Sequence, residues 1–392
     1  MVFWIMLLWV FAIWYFVQPS MSSHVLRSDG VYDEIVNTGY CILIFSLPLF
    51  FIAMRSEFGD TGAYIKIFKD APLVMSRFDE FVNSRDHSQL YYGLMMLFKI
   101  NVTDDFQKWF IVIASIQTVL MLRTLKKYSV DVGMSMFLFV ASGMSVMWMC
   151  NGIRQFLAVT MLFACTKWIL ENKWYFFFPF AVIVMGLTPI TSRFDLETAP
   201  WYLCGIHQSA VIFILSYFFI RGKAFNKKVW ILAAVFFVLT VSGGLNSVLD
   251  SSVEDTTYVK DMANVNADDG TSIPRVLVSS VPFIMALFSW NELKKDSTPD
   301  IISLSANCSA VTSILYIASA FTSGIYVGRL PIYTEMYNLI LVPWLIKHAY
   351  KENQKALTAV TVIAYLLYFY YQFNVSWSEY GYVSEALGIG LE

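Results

Sequence analysis

Charge is scarce in this chain of 392 residues: 14% of them are Asp, Glu, Lys or Arg, against 57% hydrophobic. No polar stretch is long enough to house a soluble catalytic domain, so a soluble enzyme is excluded. Metal-type spacing is also missing. The five cysteines, Cys41, Cys150, Cys165, Cys204 and Cys308, all lie in apolar segments and read as small core residues. There is no Gly-rich phosphate loop and no Asp-x-Asp pair, so a metal-bound nucleotide-sugar donor is unsupported. A net charge of −2 with scattered basic residues argues against nucleic acid as a partner. The opening "MVFWIMLLWVFAIWYF" lacks a basic n-region and a small-residue cleavage site, and so reads as a first membrane helix, not a signal peptide.

What is abundant is aromatic and aliphatic surface, with 33 Phe, 22 Tyr and 12 Trp, more than a soluble core of this size needs. Lipid must solvate it. Apolar stretches of roughly 17 to 22 residues suffice to cross a hydrocarbon core of about 30 Å. The expected crossings are 1–17, 35–54, 109–122, 133–150, 152–170, 174–190, 201–220, 229–249, 276–291, 302–322, 332–347 and 356–373. The fold class is therefore all-α, a polytopic membrane protein of about twelve helices forming one integral membrane domain over 1–392. The longest interruptions, 55–108 and the acidic 250–275, are expected as loops.

Orientation follows from the short loops, where Lys and Arg mark the cytoplasmic side. Those at 18–34, 123–132, 167–173, 221–228, 292–301 and 347–355 together hold more than half of the 27 basic residues. They are expected inside, with both termini, 55–108, 250–275 and 323–331 outside.

One polar interruption stands out, "NGIRQ", Asn151 to Gln155. A continuous helix from Gly133 to Lys167 would be about 50 Å long at 1.5 Å per residue, too long for a single crossing. Asn151-Gly152 is the turn signal available, and it places Arg154 one turn into the following helix, near the outer surface. An arginine at a helix centre costs roughly 2.5 to 3.5 kcal/mol, and less near the interface. It either snorkels to headgroups or contributes to an anion site with the free N–H groups of the helix start. Arg55 at the end of the second expected helix, His207 in "WYLCGIHQSA" and Arg329 in "GRLPIYTEMY" fall at the same outer depth, and this convergence favours a site.

These pieces resemble the EpsG-like branch of the Wzy-type exopolysaccharide and O-antigen polymerases. The likeness rests on Arg55 with Asp60-Thr61 and Tyr64-(x)3-Phe68, on Asn151-Gly152-Ile153-Arg154-Gln155 with Ala158, on His207 with Ser209-Ala210, and on Gly328-Arg329 with Tyr333. "NGIRQ" is its specific signal. Family members often carry a Glu near the end of the first long outer loop; Gln89 stands there in this chain and excludes a carboxylate at that position.

The resemblance implies a GT-C-like membrane glycosyltransferase architecture with re-entrant or amphipathic outer-loop helices. The activity it implies is the joining of oligosaccharide repeat units carried on undecaprenyl pyrophosphate, on the outer side of the bacterial cytoplasmic membrane. Donor and acceptor are both lipid-linked glycans, and membrane lipid, a chain-length regulator and a flippase are the further expected partners. Arg55, Arg154 and Arg329 would hold the pyrophosphate, stabilising the charge that develops as the glycosidic bond breaks. Asn151, Gln155, Tyr64 and Tyr333 would support them. Guanidinium groups suffice for this, so no metal and no cofactor is expected.

For the base that takes the acceptor proton, two residues stay open. Asp60 either accepts that proton or caps an amphipathic helix bearing Tyr64, Ile67 and Phe68 on one face. His207 has the pKa suited to a base but is equally a packing residue. The outer-loop aromatics Tyr64, Phe68, Phe78, Phe81, Tyr91, Tyr92 and Phe98 suit lipid or sugar. The rival functions are a ligase such as an O-antigen ligase, another polyprenyl-linked glycosyltransferase, and a polysaccharide transporter or flippase.

Overall fold

A computed structural model describes residues 1–26, 32–85, 88–187, 200–243, 270–324 and 327–390. The chain packs as two compact units, Met1–Val211 with Thr358–Glu392, and Ile212–Leu357.

The first unit is built from α1 (Val2–Met21), a hairpin of β1 (Ser22–Leu26) and β2 (Tyr32–Val36), α2 (Thr38–Met54), α3 (Thr61–Asp70), α4 (Phe78–Asn83), α5 (Gln89–Asn101), α6 (Phe106–Tyr128), α7 (Val132–Ala141), α8 (Met144–Cys150), α9 (Ile153–Ala164), α10 (Thr166–Leu170) and α11 (Trp174–Met185). Side-chain caps start several of these helices by satisfying amides that lack a partner in the first turn. Asn37 accepts from the Tyr40 amide at 2.8 Å, Asp105 from Gln107 at 2.9 Å, and Asp131 from Met134 at 2.9 Å. Lys126 and Lys127 in the last turn of α6 complement its dipole.

Two contacts fix α2 and α6 as antiparallel. Lys126 Nζ donates to Thr38 Oγ1 at 2.6 Å at one end, while the Gln107 side chain donates to the Ala53 carbonyl at the other. Relative to this pair, α9 begins at mid-depth, where Gln117 Nε2 donates to the Ile153 carbonyl at 3.0 Å. Its continuation ends with Lys167 and Glu171 within electrostatic range of Tyr128, the last residue of α6. The segment from Ile153 onward thus runs alongside the second half of α6.

At the other end of α1, Gln18 joins the starts of neighbouring elements. Its side chain donates to Asp131 at 3.0 Å and to Glu34, and its oxygen accepts from Tyr40 Oη at 2.8 Å and the Gly133 amide at 2.9 Å. Phe3, at the first end, instead meets Phe58, Phe373 and Tyr382. The N-terminus, the segment following α2 and the C-terminal segment therefore share one end of this unit.

The second unit holds α12 (Val211–Ile220), α13 (Lys227–Val241), α14 (Ile273–Phe288), α15 (Trp290–Leu293), α16 (Asp300–Ala320), α17 (Ile332–Glu335) and α18 (Asn338–Trp344). Its centre is α16, buried along almost its whole length and packed by α13, α14 and α18. Small residues, Ser305, Ala306, Ser309, Ala310 and Ser313, allow that close approach. Asn307 ties the turn between α12 and α13 to this core, accepting from the Phe225 amide at 2.7 Å and donating to the Ile220 and Lys223 carbonyls at 2.9 and 3.2 Å.

Among the described residues, four helices are long and apolar enough to cross a membrane: Val2–Met21, Phe106–Tyr128, Asp300–Ala320 and Lys351–Ser376. Six shorter apolar helices accompany them, so the chain is an all-α membrane-type protein, while the twelve continuous crossings expected from hydropathy are not reproduced one for one. One interruption has a clear cause: the expected 133–150 helix breaks at Ser142-Gly143, where Gly143 takes φ +68°. The expected 332–347 helix is divided at Met336-Tyr337 into α17 and α18. The expected 201–220 helix begins only at Val211, after two 3₁₀ turns. The hairpin of β1 and β2 begins in 18–34, a segment expected as a short loop, and runs to Val36. The long interruption 55–108 carries α3, α4 and α5. Most of the acidic loop 250–275 lies outside the described residues.

Candidate functional site

Arg55 ends α2 and is 1% exposed. Its Nε donates to Thr61 Oγ1 at 3.0 Å, Nη1 to the Ile52 carbonyl, and Nη2 to the Cys150 carbonyl at 3.2 Å, while the guanidinium carbon lies 4.6 Å from the Phe110 ring centroid. A guanidinium so engaged ties the end of α2, the start of α3 and the end of α8 together. Arg55, expected on pyrophosphate, directs Nε to Thr61 and both terminal nitrogens to backbone carbonyls at two helix ends.

Asn151 completes the same corner. Its Oδ1 accepts the Asp60 amide at 3.0 Å, and its Nδ2 donates to Met147 Sδ at 3.4 Å. Gly59, at φ +52°, allows this approach, since a Cβ there would lie 1.9 Å from Asn151 Oδ1. Asp60 is the N-cap residue of α3, as read from sequence, but its carboxylate makes no capping bond and is exposed. Thr61 and Phe68 bury completely and Tyr64 and Ile67 partly, giving α3 the apolar face anticipated for it.

Arg154 lies half-buried in the first turn of α9. Its guanidinium carbon is 5.1 Å from the Tyr92 ring centroid and 6.0 Å from that of Tyr64, an arrangement in which a planar cation meets aromatic faces. Its Nε is buried without a hydrogen-bond partner, and among the described residues no carboxylate stands within ion-pair distance. Tyr91 is buried next to it, with Trp109 Nε1 donating to its hydroxyl at 3.2 Å; burial raises the Tyr91 pKa and keeps the phenol neutral. Gln155 is buried beside Arg154 in the same turn.

Two anchors hold the partners of Arg154. Lys99, from α5, donates to the Phe68 and Lys69 carbonyls at 2.8 Å each and to that of Ala71, thereby capping the C-terminus of α3. Trp201 packs on Gly93, one residue beyond Tyr92, leaving no room for a Cβ. Neither Lys99 nor Trp201 was singled out by sequence. Each acts on a surface remote in the chain, with no motif of its own.

From Trp201 the chain reaches His207, half-buried at the start of a 3₁₀ turn. His207 Nδ1 accepts from the Ser209 amide at 3.3 Å and lies 2.7 Å from Ser209 Oγ, so the imidazole caps the turn leading into α12. A neutral ring accepting at Nδ1 carries its proton on Nε2. That tautomer makes Nε2 a donor. Gln89, where family members often carry Glu, opens α5 and donates to the Arg85 carbonyl at 3.0 Å.

The first unit therefore brings together Arg55, Asp60, Tyr64, Asn151, Arg154 and Gln155. Arg329 and Tyr333 belong to the second unit. Arg329 is exposed, and Tyr333 is buried with its ring stacked 6.5 Å from Phe213. Close by, Glu335 accepts from Tyr316 Oη at 2.8 Å and Ser279 Oγ at 3.3 Å, and Arg275 donates to Tyr316 Oη at 3.2 Å and the Gly328 carbonyl at 2.8 Å. Tyr316 Oη therefore links Arg275 to Glu335. Among the described residues no three His, Cys, Asp or Glu side chains gather as a metal-ligand set.

No curated protein and no solved structure matches the chain. A family profile does: the EpsG family, over residues 39–384, a span that includes every residue of the Arg154 corner. With most of its length matched and "NGIRQ" at the centre of that corner, the chain belongs to the EpsG family, a Wzy-like polymerase family.

Proposed function

We propose that this membrane protein is a polysaccharide polymerase that joins undecaprenyl-pyrophosphate-linked repeat units on the outer side of the bacterial cytoplasmic membrane. Family membership supports the exopolysaccharide-polymerase class. The observation that carries the reading to a site is Arg154, a half-buried guanidinium between Tyr64 and Tyr92 whose Nε has no partner. A cation so placed is suited to a pyrophosphate oxygen.

In this reading the glycosidic carbon–oxygen bond to the pyrophosphate breaks, and a hydroxyl of the next lipid-linked unit forms the new bond. Undecaprenyl pyrophosphate leaves, with Arg154 stabilising the charge it gains. The acceptor proton goes to Asp60, an exposed residue whose backbone amide is bonded to Asn151 at the same corner. His207 is the weaker base, since its cap engages the nitrogen that would accept. Arg55 and Asn151 set the geometry, and no metal is required because the guanidinium groups supply the positive charge.

Deleting the gene and sizing the surface glycan tests the function. Single repeat units on the acceptor are expected. Polymer retained on its lipid would indicate a ligase, and absence of both would indicate a flippase. Arg154→Lys tests the site: a lysine is a point charge without the planar fork. Near-normal polymer from a normally inserted Arg154→Lys chain would reject the pyrophosphate role.

A further inference from the structure

The C-terminal segment returns to the corner just described and binds its backbone. The Ser56 and Glu57 amides donate to the Val383 carbonyl at 2.8 and 3.2 Å, and the Val383 amide donates to the Glu57 carbonyl at 3.0 Å, a short antiparallel bridge. Ser384 is fully buried, with Oγ donating to the Met54 carbonyl, and the Glu385 amide donates to Ser56 Oγ at 2.8 Å. Tyr382 Oη donates to the Phe51 carbonyl at 2.8 Å, and its ring lies edge-on to Phe3 and Phe51, each 6.1 Å away. The segment then folds back on itself, since Ser384 and Ile389 exchange backbone bonds of 2.9 and 3.0 Å.

These contacts cover the last turn of α2 and the two residues after Arg55. The bonded backbone therefore flanks Arg55 on both sides, and Arg55 reaches Thr61 at the start of α3 and Cys150 at the end of α8. Residues 380–389 make no contact with Arg154 that the geometry records. They act on it through the backbone they hold.

We infer that residues 380–389 form a strap that positions the Arg154 site, with Tyr382, Val383 and Ser384 as positioning residues. The inference rests on the functional reading above for its consequence, but its mechanical part is independent. With the strap in place, Arg55 keeps α3 and the α8–α9 turn in register, and Tyr64 stays against Arg154. Without it, the end of α2 loses its backbone partners and the corner opens.

The experiment uses the full-length protein in lipid nanodiscs. Val383→Pro removes the Val383 donor, Val383→Ala keeps every backbone bond, and a chain ending at residue 379 lacks the strap. Amide hydrogen exchange and polymer size in cells are measured for each, with Arg154→Ala in parallel. Val383→Pro and the truncated chain should insert at normal levels and make little polymer; Val383→Pro should speed exchange over 55–61 and 149–154 by about tenfold, as expected for one lost buried hydrogen bond, and the truncated chain by more, because it loses all the bonds of the strap. Val383→Ala should match the parent in both. Unchanged exchange over 149–154, normal polymer despite faster exchange, or failure of both altered chains to accumulate would overturn the strap. Normal polymer from Arg154→Ala would overturn the functional reading alone, and the exchange result would still decide whether the strap holds the corner.

Discussion

The side-chain oxygen of Asn151 accepts the backbone amide of Asp60 at 3.0 Å, across 91 residues of sequence. This single bond joins the turn of "NGIRQ" to the start of the amphipathic helix that carries Tyr64. It requires Gly59, because any side chain there would overlap the asparagine amide.

Gly59→Ala should therefore be damaging. The added Cβ is forced toward Asn151, and alanine at φ +52° stores about 1 to 3 kcal/mol of strain. Thermal unfolding in detergent is expected to show that loss, with polymer falling alongside. In Gly59→Ala/Asn151→Ala the clash is relieved, so the two losses should be less than additive. Strict additivity would mean that the two residues do not meet.

The Arg154 guanidinium carbon lies 5.1 Å from the centroid of the Tyr92 ring, a cation–aromatic distance. Tyr92→Phe should keep polymer near the parental level, while Tyr92→Leu should lose about 0.5 to 2 kcal/mol of cation–aromatic interaction, roughly 2- to 30-fold in rate. Sizing of the glycan after a timed pulse compares them. Equal effects of the two substitutions would reject the stacking account.

Asp60→Asn and His207→Asn separate the two base candidates. Asparagine caps a turn well, so His207→Asn should keep the 3₁₀ turn and most of the polymer, while Asp60→Asn should reduce turnover by about 10²- to 10⁴-fold, the usual contribution of a positioned base. Turnover is read at saturating lipid-linked substrate. The opposite ranking would reassign the base to His207.

Lys99 tests the anchoring of α3 from its far end. Lys99→Met fills the same space but leaves the Phe68, Lys69 and Ala71 carbonyls without the ammonium, a cost of about 1 to 3 kcal/mol. Faster amide exchange confined to α3 and the following residues is expected, with the remainder of the unit unchanged. Uniform exchange across the whole unit would point instead to global destabilisation.

In the second unit, Tyr316→Phe removes the hydroxyl that bridges Arg275 and Glu335. The carboxylate keeps only its Ser279 bond among those described, so stability should fall by about 1 to 3 kcal/mol. Tyr316→Phe combined with Glu335→Gln should recover part of that loss, because the neutral amide is cheaper to leave underbonded. A double variant no better than the single would separate Tyr316 from Glu335.

Local chemistry was legible in the sequence. Hydropathy identified a helical membrane protein, Asn151-Gly152 marked an interruption, and "FGDTGAYIKIF" announced a helix beginning at Asp60 with an apolar face. Each signal depends on neighbours within a turn or two, and side-chain type and spacing suffice for that. The same local reading went wrong where a break depended on more than hydrophobicity, as at Gly143 and through 332–347.

The assignment of partners was decided only in three dimensions. Arg55 and Arg154 are both arginines at helix ends, and the sequence ranked them alike. Folding gave Arg55 the carbonyls at the ends of α2 and α8, but placed Arg154 between two phenol rings with a buried Nε left over. Likewise, nothing within 380–389 indicates that it will pair with residues more than 300 positions earlier. Composition and turn signals determine which segments are helical and apolar, because those preferences act through the local backbone and its solvent. Which cation is engaged and which remains available depends on the donors and acceptors that distant helix ends present to it, and those meet only once the helices have packed.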